Sequence, residues 1–298
     1  MRLRKLSLKD KAIFDKYLVQ EAHGLSVYAF ANIYIWKVLF DIEWAVIEDN
    51  LCVFLKDRMG CFLYLAPLGA KKNPEVAAQV FEIMDGYNRN TEISRIENIE
   101  EAGLSFYRGL GYACKKKSVD YLCNRDDLVN LNGDAFKSKR ACINFFKKNY
   151  SFEYIPYVAR HKKECLRLYG VWAEERASRN PDPIYQGMLE DGAKCLKLAL
   201  THYSDLGLSG RIVKVDHKIR AFTFGYPLNP RTFCVLYEVA DLSCKGLAQF
   251  VFREFCDDAQ KYTCINVMDD SGLENLRRVK LSYKPARLIP AYTATRRK

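Results

Sequence analysis

Metal binding and disulfide bonding are the chemistries this sequence is least equipped for. No two of its eleven cysteines are spaced as CxxC, and its four histidines (His23, His161, His202 and His217) lie beside no cysteine pair. A zinc site or a disulfide framework is therefore not expected, and the metal set is none. Single cysteines in apolar surroundings read as small buried hydrophobes of a reducing compartment. There is no Ser-His-Asp or Cys-His arrangement for covalent catalysis either. The opening MRLRKLSLKDKAIF has basic residues but no apolar core, so no signal peptide is expected. The most apolar region, VYAFANIYIWKVLF, is interrupted by Asn32 and Lys37 and is too short to span a bilayer. These absences give a cytoplasmic protein without a transmembrane segment as the expectation.

What is present is a chain of 298 residues, long enough for two ordinary domains with real cores. Its 49% hydrophobic and 28% charged content is that of a folded globular protein. The net charge of +11 favours an anionic partner: nucleic acid, a phosphorylated small molecule or an anionic membrane surface. A merely basic cytosolic protein is the plainer reading.

The pattern of elements occurs twice. In the first half an amphipathic helix (LKDKAIFDKYL) precedes strands IEWAVIE, LCVFLK and CFLYLAPL, then a helix NPEVAAQVFEIMDGY with Asn73 as N-cap and Pro74 at its first position. A strand ISRIENI, a helix EEAGLSFYRGLG and a strand around VDYLCN complete it. The second half has helices ECLRLYGVWAEER and DGAKCLKLALTHYSDLG, strands GRIVKV, IRAFTFGYPL and TFCVLYEVA, and a helix GLAQFVFREFCDDAQKY. It closes with CINVMD, SGLENLRRVKL and ARLIPAYT. AGLSFYRGLGY at Ala102 aligns with SGLENLRRVKL at Ser271, an offset of 169 (271 less 102). YLAPLG at Tyr64 aligns with YEVADL at Tyr237, an offset of 173 (237 less 64). Two anchors with nearly one offset point to a duplicated unit of ordinary domain length. The expected division is an N-terminal unit over residues 1–130, then 131–298 holding a basic linker helix and the C-terminal unit.

That linker, FKSKRACINFFKKNY, carries five cations inside an acid-free run from Ala135 to Phe152. On a helical wheel Phe136, Ile143, Phe146 and Tyr150 make one apolar stripe, with Lys139 inside it and Arg140 and Lys147 at its border. These three cations would line an interface edge and bind an anion there; otherwise Lys139 packs its methylenes and leaves its ammonium in water.

The order helix, antiparallel strands, helix, strand, helix, strand resembles the GNAT acyltransferase fold, an α/β (α+β) class, here as two tandem units. GNAT enzymes cradle a pyrophosphate after the fourth strand with Arg/Gln-x-x-Gly-x-Gly/Ala, using backbone N–H groups at a helix N-terminus. The second unit has SCKGLA there: Ser243 stands for the Arg or Gln, Lys245 precedes the glycine, and Gly246 and Ala248 match. An ordinary glycine turn before a helix is the alternative. The first unit has LGAKKN and lacks the pattern.

The chain as a whole resembles the phosphatidylglycerol lysyltransferase C-terminal domain family, tandem GNAT-like proteins related to the FemABX aminoacyl-tRNA-dependent transferases. The resemblance is carried by FKSKRACINFFKKNY, GRIVKVDHKIRAFTFGYPL, YEVAD through KGLAQFVFREF, and INVMDDSGLENLRRVKLSYKP. It implies transfer of an activated acyl or aminoacyl group to an amine- or hydroxyl-bearing acceptor. The donor would be an aminoacyl-tRNA or an acyl-CoA, with no tightly bound cofactor. The acceptor would be a small molecule, a peptidoglycan precursor or a lipid headgroup.

Such a transfer needs a base for the attacking group and a cation or N–H donors for the oxyanion. Glu238 interrupts the apolar run of TFCVLYEVAD, so it is either catalytic or half of an ion pair. Asp241, three residues on, would face the opposite side of a true strand. Arg277 and Lys280 share a helix face, suited to a phosphate or terminal ribose or merely coating the surface. Glu238, Asp241 and Lys280 are the candidate catalytic groups, and Ser243, Lys245, Gly246, Ala248 and Arg277 the candidate donor-binding ones. A non-catalytic anion- or nucleotide-binding module on a degenerate GNAT fold is the alternative function.

Overall fold

The computed structural model describes residues 2–297. In chain order it begins with β1 (Arg4–Lys5), α1 (Lys11–Leu18), α2 (Phe30–Ile35), β2 (Asp41–Ile47), β3 (Asn50–Lys56) and β4 (Cys61–Leu63). There follow α3 (Pro74–Tyr87), β5 (Ile96–Glu100), α4 (Leu104–Gly109), β6 (Ala113–Asn124), α5 (Arg125–Asn130) and α6 (Lys137–Asn149). The second half has β7 (Phe152–Pro156), α7 (Lys162–Arg179), α8 (Pro183–Thr201), β8 (Ser209–Val215), β9 (Lys218–Asn229) and β10 (Thr232–Ala240). It ends with α9 (Leu247–Asp258), β11 (Cys264–Asn266), α10 (Glu274–Leu281) and β12 (Arg287–Thr295).

Two compact units emerge. One comprises residues 1–120, 269–273 and 288–298, the other 121–268 and 274–287. This differs from the expected cut between 130 and 131, and the strand pairing gives the reason. In the first unit β2, β3 and β4 are antiparallel neighbours, β4 pairs with β5 in parallel, and β5 takes β12 as its next antiparallel partner. In the second, β8, β9 and β10 are antiparallel, β10 pairs with β11 in parallel, and β11 takes the end of β6. Each repeat thus donates its last strand to the other, so neither unit is one continuous stretch of sequence.

The duplication is written in the backbone as well. Glu48 and Asp49 turn the β2–β3 hairpin with φ of 43° and 58°, and Asp216 and His217 turn β8–β9 with φ of 50° and 61°, the paired left-handed residues of a tight two-residue hairpin turn. Asn98 (φ 54°) and Met268 (φ 62°) are a second such pair. Their spacings, 168 (216 less 48) and 170 (268 less 98), match those of the sequence repeats.

In the first unit Phe14 packs edge-on against Phe30 and Trp44, with centroids 5.4 and 5.6 Å away, and all three are buried. Asn73 caps α3 by accepting the Glu75 N–H at 2.8 Å, with Pro74 at the first helical position. In the second unit α6 is a core helix rather than a linker. Its stripe residues Phe136, Ile143 and Phe146 are buried with Val213, Val215, Ala221, Ala240 and Phe250. Phe146 is fully enclosed, its ring 4.9 Å from Phe250, and burial of such a side chain contributes about 1.5–3 kcal/mol. No helix among the described residues is long and apolar enough to cross a membrane.

Candidate functional site

The site residues gather in the second unit, on the strand that a bulge re-aims. In β10, Val235 stands opposite Gly225 while Tyr237 stands opposite Phe224, so Leu236 is an extra residue. Before the bulge, Phe233 and Val235 pack beneath α9 with Phe252 and Phe255. After it, Tyr237 and Val239 pack on the other face with Tyr169 and Leu196. The phase has flipped, and Glu238 falls on the same face as Ala240, which packs with α6 and α9. The parallel pairing of β10 with β11 covers only Thr232 to Cys234 against Cys264 to Asn266. Glu238 therefore lies on the part of β10 that has lost its β11 neighbour.

Two ammonium groups act on the Glu238 carboxylate. Lys280, on α10, donates to the Val267 carbonyl just beyond β11 at 2.6 Å, its Nζ 5.9 Å from the Tyr121 ring centroid. Lys139, on α6, is half-buried; its Nζ donates to Ser282 Oγ at 2.7 Å and lies 4.3 Å from the Tyr283 ring centroid. Desolvation by surrounding protein pushes the Glu238 carboxyl up to about 8, with Lys280 and Lys139 pulling the other way. The residue still exposes much of its surface. Glu238 is thus an accessible acid crowded by protein, not a sealed one, and water reaching it limits the size of the upward shift more than its direction. Desolvation lowers the Lys139 ammonium, against the pull of Cys142 and Glu238. Carboxyl and ammonium are driven toward one another, the environment in which an acid–base residue works near neutral pH.

The remaining sequence candidates go elsewhere. Asp241 bonds Arg220 Nη1 at 2.6 Å and accepts the Ser243 N–H and hydroxyl at 2.9 and 2.6 Å. Burial would raise its carboxyl, but Ser243 and Arg220 outweigh that and hold it low. Arg140 closes the turn after α5 by donating to the Leu131 and Gly133 carbonyls. Lys147 bonds Glu254 at 3.2 Å. Lys139, Arg140 and Lys147 thus take separate partners instead of converging. Lys245 is exposed, 4.7 Å from the Phe145 ring centroid, and Arg277 is exposed with only a loose 3.8 Å approach to Glu274. Ser282 and Tyr283, which fix Lys139, were not singled out in the sequence, although both stand in the LRRVKLSYKP stretch that carries the family resemblance.

A GNAT fold implies a coenzyme A pyrophosphate on the loop from Ser243 to Ala248, where α6 packs closely against Gly246. Gly246 caps α9 with φ of 87° and is buried. The space a side chain there would need is filled by the backbone carbonyl of Cys142 and by Phe146 Cβ. The Asp241 carboxylate takes the Ser243 N–H, so that donor of the loop is already committed. The glycine serves the close approach of α6, and Ala248 packs against the same cluster. Among the described residues no group of histidines, cysteines and carboxylates is placed to hold a metal.

Comparison with known proteins agrees with this architecture. A conserved protein of unknown function from Bacteroides thetaiotaomicron VPI-5482 superposes with a TM-score of 0.90 at 27% identity, over 100% of both chains. The C-terminal domain of a putative lysylphosphatidylglycerol synthetase from Agrobacterium fabrum gives 0.69 at 14% identity, covering 98% of this chain and 92% of that one. A tandem GNAT protein from the clavulanic acid biosynthesis pathway gives 0.55 at 9% identity, over 98% and 97%. No curated protein matches. The fold is that of tandem GNAT-like proteins, and family and fold together indicate a transferase of the aminoacyl or acyl type. The family described as Phosphatidylglycerol lysyltransferase, C-terminal matches residues 20–295, nearly the whole chain, and this protein belongs to it.

Proposed function

We propose that this protein transfers an aminoacyl group from an aminoacyl-tRNA to an amine or hydroxyl of an acceptor, with Glu238 as the base. The observation that carries the reading is an exposed carboxylate, Glu238, on which two lysines act. Gly246, in the loop that would cradle coenzyme A, is packed against α6, while Glu238 is exposed and its carboxylate feels the charges of Lys280 and Lys139. Exposed Lys245 and Arg277 are available to the phosphates of a tRNA donor. The family name supports a phospholipid headgroup as acceptor.

Glu238 takes the proton from the attacking hydroxyl or amine as the new bond to the acyl carbon forms. The ester carbonyl becomes an oxyanion, which a fixed ammonium, Lys280 or Lys139, stabilises. The carbon–oxygen bond to the tRNA 3′-oxygen then breaks, and Glu238 returns the proton to that leaving oxygen. No covalent intermediate on the protein is required.

The test is binding and transfer with charged tRNA against acetyl-CoA. Retention of charged tRNA that weakens steeply with salt, without measurable acetyl-CoA binding, is the expected result. Saturable acetyl-CoA binding with acetyl transfer would overturn it.

A further inference from the structure

The first unit has a cavity of its own, and it opens where two parallel strands part. β4 meets β5 only at Leu63 and Ile96. Past that point Asn98 takes a left-handed φ of 54°, and its side chain donates to the Tyr64 carbonyl at 2.9 Å. Residues on both sides of the gap, among 66–69 and 99–103, line a cavity of about 60 Å³. We infer that this cavity binds a small α-amino acid as a zwitterion, at a site made wholly of first-unit residues.

Size sets the first limit. At roughly 10–15 Å³ for each water-sized occupant, the space holds about four to six non-hydrogen atoms. Glycine and alanine are of that size, and a nucleotide is not.

The lining sets the chemistry. Tyr107 is 3% exposed, yet among the described residues its hydroxyl has no hydrogen-bond partner. The exposed Glu21 carboxylate and Gln20 amide have none there either. A buried hydroxyl without a partner is costly unless a bound molecule or water supplies one. Glu21 and Glu100 both put negative charge on the lining. Against the effect of burial, His23 and the Gly24 and Leu25 N–H groups hold the Glu100 carboxyl low. Two carboxylates, with the rings of Tyr17 and Tyr107 in the same lining, favour an ammonium group. Lys72 is the opposite charge, exposed and donating to the Ala102 carbonyl at 3.1 Å. It suits a carboxylate. An ammonium and a carboxylate on one compact molecule define an α-amino acid.

This is a place for binding and not for transfer. In the alignment of YLAPLG with YEVADL, Leu65 stands opposite Glu238. Leu65 is buried and carries no proton-accepting group. The first repeat thus keeps parted strands without the acid.

Calorimetric titration of the full chain tests this, with alanine, ethylamine, propionate and glycerol at one ionic strength. Alanine should bind saturably in the millimolar range and raise the thermal midpoint. Ethylamine and propionate should bind at least about tenfold more weakly, each lacking one charge, and glycerol not measurably. Glu21→Gln and Tyr107→Phe, each checked for an intact thermal transition, should weaken alanine binding at least about fivefold. Tyr107→Phe should leave the unliganded midpoint unchanged or raised, because an unpartnered hydroxyl is lost. No saturable alanine binding overturns the inference, as does binding of ethylamine, propionate or glycerol as tight as that of alanine. Alanine binding unchanged in both folded variants overturns it too. Binding lost in Glu238→Gln but kept in Glu21→Gln would place the amino acid at Glu238 instead. That last result overturns the first-unit site and leaves the transferase reading standing.

Discussion

The backbone carbonyl of Cys142 occupies the space that a side chain at Gly246 would need. One residue on α6 thus explains why this position of the loop is a glycine. Gly246 also holds φ at 87°, a conformation costing roughly 1–2 kcal/mol with any Cβ. Gly246→Ala is expected to destabilise the protein by about 3 kcal/mol or more, strain and overpacking combined. Denaturant unfolding measures it; a loss under about 1 kcal/mol would mean that α6 can leave the loop.

Glu238→Gln removes the proposed base while keeping size and hydrogen-bonding capacity. Aminoacyl transfer should fall by about 10²–10⁴ in kcat, the usual worth of a positioned general base, with the folded state intact. In the wild type the rate should rise with pH, because only the ionised carboxylate accepts a proton. Crowding raises the Glu238 carboxyl to about 8 against the two lysines, so the ascending limb should lie above the ordinary carboxylate range. A flat profile from pH 5 to 8, or a fully active Gln variant, would remove Glu238 from the chemistry.

Glu100 predicts an acid limb of stability in the first unit. It bonds His23 Nδ1 at 2.9 Å and accepts the Gly24 and Leu25 N–H groups at 2.7 and 3.1 Å. Burial works to raise its carboxyl, but His23 and these N–H groups outweigh that and hold it below the ordinary 4.5. The folded state thus binds the proton less readily than the unfolded one. This contribution is complete above about pH 5 and is lost as pH falls through the depressed folded value. Glu100→Gln should flatten that part of the stability curve and cost about 2–3 kcal/mol at neutral pH; identical curves for both proteins from pH 3 to 7 would contradict the assignment.

The exchanged strand supplies a fourth test. A chain ending at residue 285 loses β12, whose Ala291 and Tyr292 pair with Glu100 and Ile99 of β5. The unit that should loosen is the one holding residues 1–120, far away in sequence, while that holding residues 121–268 keeps its β6–β11 pairing. Limited proteolysis should cut the first unit at least about tenfold faster than in the intact chain. Faster cutting confined to residues 121–268 would place β12 wrongly.

Local rules read much of this fold in advance. Asn73 and Pro74 announce α3, and the period of Phe136, Ile143 and Phe146 marks the buried face of α6. The site was legible only in pieces. Glu238 stood out as an acid in an apolar strand and Lys139 as a cation in an apolar stripe. That their charges meet at one place depends on the bulge at Leu236, which leaves no trace in the alternation of TFCVLYEVA. A helical wheel gives azimuth but no neighbours, so Arg140 and Lys147 looked equivalent to Lys139 until the Leu131 carbonyl and Glu254 claimed them. The compact units differ from the expected division for a related reason: sequence order cannot say which of two similar units receives a terminal strand.

That exchange also governs how the protein comes into being. On the ribosome, the first 120 residues emerge with β5 waiting for a partner encoded some 190 residues later (291 against 100). The nascent first unit must hold an open β-edge throughout synthesis of the second, a state prone to mispairing with neighbouring chains and suited to a chaperone's grip. Only when residues 287–295 have been released can the first unit close. A product interrupted before residue 287 would be left with that edge exposed.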